Sequence, residues 1–192
     1  MRVQLNLVKN DITVIDNYLS ESEFVKIYDY VRSDIPWTLS SKSNPNSLKD
    51  WQFQFMHPKM EKDGQNLPSE FLPMIMGPYH VKFASGVAII RSRINLFIKT
   101  KSFPFSFLKR GMGYHSDDFE EWKDIDGYKK SIFTLLLYLE DSNGATQFKN
   151  YGRMVKSKRN RVLIFPSHML HQTVMQTNTL FRTNININFI RK

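Results

Sequence analysis

Near the C-terminus, Arg182-Thr183-Asn184-Ile185-Asn186-Ile187-Asn188-Phe189 alternates without a break: arginine and three asparagines fall on one side, threonine, two isoleucines and a phenylalanine on the other. A period of two belongs to an extended strand, whose successive side chains point to opposite faces. One face therefore packs in a core. The other must look into something wet or charged, because an unpaired buried guanidinium is too costly. A barrel interior holding a dicarboxylate would satisfy it. Val87 to Ile98 predicts another long strand, with Arg91, Arg93, Asn95 and Phe97 on one face, and Ser131 to Leu139 a third, bearing Thr134, Leu136 and Tyr138. Shorter strands are predicted at Val3 to Val8 and Thr13 to Ile15 around the turn Lys9-Asn10-Asp11, at Trp51 to Phe55, at Ala145 to Phe148 and at Arg161 to Phe165. Asp141-Ser142-Asn143-Gly144 is a turn by composition.

Two segments follow the helical period instead. Ser20-Glu21-Ser22-Glu23 reads as a capping box, and Phe24, Ile27, Tyr28 and Val31 follow it on one helix face, ending before Ile35-Pro36-Trp37. Pro68-Ser69-Glu70 opens a second helix through Leu72, Ile75 and Met76, with Gly77-Pro78 expected to break or kink it before Tyr79. Thr38 to Asp50, Thr100 to Arg110 and Asp118 to Lys130 read as loops, the second a lid or cap over the site mouth. His57, before Pro58, reads as an exposed loop residue in preference to a substrate-site residue, and His80 as structural.

Many short strands with turns between them and helices ahead of them predict a mainly β fold with flanking helices, a jelly-roll double sheet whose helices cover the apolar outer face. At 192 residues it is one structural domain, in which residues 1–86 supply N-terminal strands and helices that pack on a core of 87–192.

Composition narrows the chemistry. The chain has no cysteine, which excludes disulfides, iron–sulfur clusters and thiolate zinc sites, so any metal is held by nitrogen and oxygen. The formal net charge of +9 suits an acidic partner, either nucleic acid or an anionic co-substrate. Lysine and arginine are nevertheless spread along the chain, with short clusters only at Lys109-Arg110, Lys129-Lys130 and Lys156 to Arg161. The start, Met1 to Asn6, is too polar for a secretory signal, and no apolar run approaches the roughly 20 residues of a membrane span. A cytoplasmic protein is expected.

The candidate chemistry centres on Gly113-Tyr114-His115-Ser116-Asp117. On an extended chain His115 and Asp117 share a face and aim an imidazole and a carboxylate at one point. Phe165-Pro166-Ser167-His168-Met169-Leu170-His171 offers a third ligand in His168 or His171. Two histidines and one carboxylate on one face of an iron ion leave its opposite face open, as in non-haem Fe(II) oxygenases.

The ordered set His115-x-Asp117, Tyr138, Gly144 to Phe148, His171 and Arg182 resembles the 2-oxoglutarate and Fe(II)-dependent dioxygenases, in particular the prolyl-4-hydroxylase-like group often found in phage and bacterial genomes. The match covers about Val87 to Phe189, and Asp16-Asn17-Tyr18-Leu19 with its helix is similar to that group's N-terminal part. Asn143-Gly144-Ala145-Thr146 departs from the family's double glycine and following acidic residue, and Phe97 lacks the hydroxyl of a tyrosine near that position. The resemblance implies a double-stranded β-helix (cupin-like) core. It implies Fe(II) held by His115, Asp117 and His171, the Pro-Ser-x-x-Leu-His run favouring His171 over His168. It further implies that 2-oxoglutarate chelates the iron, that Arg182 and Tyr138 anchor its far carboxylate, and that Asn95 touches it, with Asn184 and Asn186 completing the floor or bonding each other.

With O2, and ascorbate as a possible accessory, the resemblance implies oxidative decarboxylation to succinate coupled to hydroxylation of a C–H bond, in a prolyl or other amino-acid or peptide substrate. Oxygenation of nucleic acid, or binding without catalysis by a jelly roll, are the rival expectations, and a phage-encoded protein would act in the host cytoplasm. The substrate and the oligomeric state are not fixed by the sequence.

Overall fold

A computed structural model describes residues 5–8, 12–40, 54–57, 67–99, 111–117, 132–152 and 154–191. The elements run β1 (Leu5–Val8), β2 (Ile12–Ile15), α1 (Glu21–Arg32), β3 (Thr38–Ser40), β4 (Gln54–His57), α2 (Phe71–Phe83), β5 (Val87–Ile98), β6 (Ile132–Tyr138), β7 (Ala145–Phe148), β8 (Met154–Lys156), β9 (Arg161–Pro166), β10 (His171–Val174) and β11 (Phe181–Arg191). The predicted loops at 41–50, 100–110 and 118–130, and residues 51–53 of the predicted Trp51 to Phe55 strand, lie outside the described residues.

An eight-stranded antiparallel sheet carries the order β1-β2-β9-β6-β11-β5-β4-β3, and a smaller sheet the order β10-β7-β8. Isolated bridges at Gly111↔Val174 and His115↔His171 lay the segment 111–117 alongside β10, widening the smaller sheet. β1 and β2 form one edge of the large sheet and β3 and β4 the other, so the strands before residue 87 continue the same sheet as those after it.

The alternation of β11 sorts the two faces as its sequence requires. Ile185, Ile187 and Phe189 join Ile94 of β5, Leu135 and Leu137 of β6, and Val162 and Ile164 of β9 against Phe24, Ile27 and Val31 of α1 and Phe71, Ile75 and Tyr79 of α2. Each such side chain contributes about 1.5–3 kcal/mol by leaving water. On the opposite face Leu136, Tyr138, Leu163 and Phe165 pack with Phe148 of β7 and Val155 of β8, which closes the two sheets on one another. The helices thus cover one face and the small sheet the other, and the inward Arg182, Asn184, Asn186 and Asn188 are buried between the sheets.

The capping box forms: the Ser20 hydroxyl accepts from the Glu23 amide, and the Ser20 amide donates to the Glu23 carboxylate. Ahead of it, Asn160 accepts from the Leu19 amide at 3.0 Å and donates to the Leu19 carbonyl at 2.9 Å, fixing the helix entry to the turn before β9.

Three local expectations are corrected. Thr38–Ser40 is a short edge strand paired with β4 rather than loop, because Phe55 and its neighbours offer it a partner that no local signal reveals. The strand after it reaches His57, which is buried within β4, its ring bonded to the Tyr30 hydroxyl at 3.0 Å and to the Pro36 carbonyl at 2.6 Å. Helix α2 runs unbroken through Pro78. The lost backbone bond costs roughly 3 kcal/mol, and burial of Phe71, Ile75, Met76 and Tyr79 offsets it. None of the described helices is long and apolar enough to cross a membrane.

Candidate metal centre

His115, Asp117 and His171 converge between the sheets, with one potential ligand atom from each lying within 4.8 Å of the others. The two histidines are locked by a two-way backbone bridge, each amide donating to the other residue's carbonyl at 2.9 Å, and the Asp117 amide donates to the Ser167 carbonyl at 2.8 Å. Spacing of two along the chain sets the first pair of ligands on one face, and the strand pairing delivers the third.

The ring orientations suit a metal. His171 Nδ1 lies 2.9 Å from the Met169 carbonyl and His115 Nδ1 lies 3.4 Å from the Gly113 carbonyl. A carbonyl only accepts, so Nδ1 is the protonated nitrogen of each ring and Nε2 is left with its lone pair. Each Nε2 stands 3.8 Å from an Asp117 carboxylate oxygen. Burial, and then the neighbouring His171, push His115 down to about 4, so the ring is neutral at physiological pH. Burial alone would raise the Asp117 carboxyl, but His171, His115, Arg91 and Arg93 outweigh it and hold the group well below the usual carboxylate range. A neutral imidazole at His115 and an ionised carboxylate at Asp117 are protonation states that metal binding demands.

A buried polar line supports the carboxylate. Arg91 donates to Asn188 Oδ1 through Nε and Nη2 at 2.9 and 2.6 Å, Asn188 donates to the Thr134 hydroxyl at 2.9 Å, and Thr134 donates to Asp117 Oδ2 at 3.1 Å. Ser167 shares its hydroxyl with Thr134 at 2.9 Å, and Asn186 adds an amide to Asp117 Oδ2 at 3.3 Å.

Beside the triad is a small pocket, lined among others by Asn95, Phe97, Met112, Leu136, Thr146 and Asn184. Behind Phe97, its guanidinium carbon 4.8 Å from the ring centroid, Arg182 is fully buried with all three guanidinium nitrogens unbonded. Burial lowers it to about 10, which leaves it charged at neutral pH. The Glu140 carboxylate is near enough to favour the guanidinium's charge, but among the described residues no anion bonds it, and a buried cation left so is costly enough to imply a missing partner. The Gly144 backbone lies against it, and a Cβ there would stand 3.0 Å from Arg182 Cδ. The donor set therefore fits a nitrogen- and oxygen-liganded ion such as Fe(II), and the orphaned guanidinium fits a carboxylate.

Of the other sequence-predicted residues, Tyr138, Asn95 and Asn184 are also brought here and His168 is not. His168 is exposed and His171 buried, which settles their competition. Tyr138 is buried, its hydroxyl bonded to Thr146 Oγ1 at 2.7 Å. Asn184 accepts from Asn95 Nδ2 at 2.9 Å rather than pairing with Asn186. Gln54, Met112 and the Thr134–Ser167 pair escaped the sequence reading because only the pairing and packing of segments distant in sequence bring them to the site. Asn186 was visible in the alternation, but its bond to Asp117 was not.

Facing antiparallel sheets of this order, with two histidines and one aspartate between them, share their fold with solved structures described as 2OG-Fe(II) oxygenases. No family model matches the sequence, and no curated protein sequence matches it. Solved structures do match the fold. An oxidoreductase of the 2OG-Fe(II) oxygenase family from Burkholderia pseudomallei has a TM-score of 0.65 at 14% identity, over 95% of this chain and 86% of that one. A prolyl hydroxylase from Trichoplax adhaerens, in complex with a hypoxia inducible factor oxygen degradation domain peptide fragment, has 0.61 at 14%, over 95% and 84%. HygX from Streptomyces hygroscopicus, with nickel, 2-oxoglutarate and hygromycin B bound, has 0.59 at 12%, over 94% and 83%. At these identities the likeness is one of fold, and the chemistry rests on the side chains above.

Proposed function

We propose that the protein is an Fe(II)- and 2-oxoglutarate-dependent oxygenase that hydroxylates a C–H bond of an amino-acid-like or peptide substrate, a prolyl group among the candidates. The observation that carries this is the pairing, between the same two sheets, of the His115–Asp117–His171 cluster with the Arg182 guanidinium, which has no hydrogen-bond partner among the described residues. An ion site alone suits many roles. An ion site beside a buried cation that lacks its anion suits a co-substrate with a metal-chelating end and a carboxylate end.

When bound, iron and 2-oxoglutarate supply the oxidising chemistry: one oxygen atom of O2 enters succinate as CO2 leaves, and the other enters the substrate. The chain does the rest. His115, Asp117 and His171 hold one face of the ion. Arg182 orients the far carboxylate through a forked, charge-assisted pair, and Tyr138 and Thr146 stand ready to add a hydroxyl. Phe97, Leu136 and Met112 line the pocket with apolar surface that excludes water.

Succinate release from 2-oxoglutarate in the presence of Fe(II) and O2 tests the proposal. The His115→Ala variant is expected to form none, and turnover equal to that of the unaltered protein would refute the assignment. Screening substrates for stimulated succinate release then identifies the acceptor.

A further inference from the structure

A second guanidinium, this one lining the pocket, has no anion paired with it among the described residues. Arg93 projects from β5 on the same face as Asn95 and Phe97 and lines the cavity with His115 and His171. Its Nε is buried with no hydrogen-bond partner, and Nη1 has only Met56 Sδ at 3.8 Å, a weak acceptor. Among the described residues no carboxylate lies within ion-pairing distance of it, although Asp117 is near enough to favour its charged form.

Arg93 and Arg182 stand at different levels of the sheet. Arg93 is paired in register with Asn186, whose amide reaches Asp117, so it stands level with the metal cluster. Arg182 is paired with Phe97, four residues further along β5, which separates the two roots by about 13 Å. On the reading proposed above, the ion's two positive charges and that of Arg182 balance the carboxylate of Asp117 and the two of 2-oxoglutarate. Arg91 is bonded to Asn188 and does not line the pocket. Among the described residues Arg93 is left as a surplus cation, partly buried beside the ion, and the charged species still to enter the pocket is the substrate.

We propose that Arg93 is the substrate-recognition residue, and that the molecule oxidised is a small carboxylic acid whose carboxylate it grips while a nearby carbon faces the open side of the metal. Arg93 lines the pocket beside the two histidines and is level with the metal cluster, so a carboxylate it grips lies close to the carbon that reacts, which favours a short molecule. The forked guanidinium matches a carboxylate through two parallel bonds. This inference rests on the iron and 2-oxoglutarate reading of the same site, and its test separates the two.

The protein is loaded anaerobically with Fe(II) and 2-oxoglutarate, and the visible charge-transfer band of the keto-acid chelate is recorded. Free amino acids and N-acetylglycine, each beside its carboxamide, are then titrated in by calorimetry. A blocked Ala-Asp-Ala peptide is compared with Ala-Asn-Ala. In the unaltered protein at least one acid is expected to outbind its amide. Arg93→Met is expected to weaken that acid by about thirtyfold or more while the 2-oxoglutarate band and affinity persist, and Arg93→Lys to restore part of the loss. Acids and amides that bind alike, or no acid that outbinds its amide, overturn the inference. So does Arg93→Met losing 2-oxoglutarate itself, which would move Arg93 to the co-substrate site. Preference for the aspartyl peptide over every free acid overturns the small-molecule assignment. A missing band in the unaltered protein instead defeats the underlying oxygenase reading. The acid–amide contrast needs no variant, so it stands even if Arg93→Met does not fold.

Discussion

Thr134 donates its hydroxyl to Asp117 Oδ2 at 3.1 Å, ending a buried line that begins at Arg91 and runs through Asn188. Replacing Thr134 with valine keeps the shape of the side chain and removes the donor. The carboxylate then turns more freely, and affinity for Fe(II), or for Co(II) as an air-stable substitute, is expected to fall about 10–100-fold. Asn188 and Ser167 lose a partner in the same substitution, so stability is expected to fall by about 1–3 kcal/mol. Metal titration and denaturant unfolding read the two effects separately, and unchanged metal affinity would make Thr134 a packing residue only.

Arg182 predicts opposite signs with and without ligand. In the ligand-free protein its guanidinium is fully buried with no hydrogen bond. Replacing an unpaired buried charge with an apolar side chain of similar length is stabilising in general, so Arg182→Met is expected to raise the ligand-free Tm. Unaltered protein gains further stability when 2-oxoglutarate and metal bind only the folded state. Arg182→Met is expected to lose the 2-oxoglutarate increment and keep the metal increment. Thermal melts in the four ligand states measure this, and a ligand-free Tm that falls would show that the guanidinium has a partner in solution.

Much of this was legible because the informative segments are long and strictly periodic. The alternation over 182–189 already separates a core face from a polar face, and the packing of Ile185 and Ile187 under the helices shows why it does. His115 and Asp117 share a strand face by spacing alone. What stayed hidden depends on neighbours distant in sequence. Thr38–Ser40 is a strand only because β4 pairs with it, and α2 survives Pro78 only because its other side is buried. Asn184 chose Asn95 over Asn186 because those two face each other across the β5–β11 register, a relation invisible until the strands are aligned.

His57 tests the boundary between structure and chemistry. It follows β4 into the interior and ties Tyr30 of α1 to the Pro36 carbonyl, away from the triad. His57→Ala is expected to cost about 1–3 kcal/mol by leaving those groups unpaired. Metal affinity and 2-oxoglutarate-dependent succinate formation are expected to stay at the unaltered level once the protein is folded. Chemical denaturation and a turnover assay check the two halves, and lost turnover in a fully folded variant would place His57 in the site.

The metal-free protein carries a pH signature at His115. Burial and the adjacent His171 lower this ring from an ordinary 6.5 to about 4, so between those values the unfolded chain binds a proton that the folded chain refuses. Stability therefore rises with pH across that window. It is fully present above the unfolded value, declines as pH falls from 6.5 toward 4, and loses nothing further from this group below that. The loss is on the order of 2 kcal/mol, since the ring is part-exposed and screened. Asp117, held below its ordinary 3.8, weakens the fold only under more acid conditions, so the two windows separate. Urea unfolding at intervals from pH 7 to 4, with metal chelated, is expected to show the slope in the unaltered protein and a shallower one in His115→Gln. Equal slopes in both would mean that the ring ionises as freely in the folded protein as in the unfolded chain.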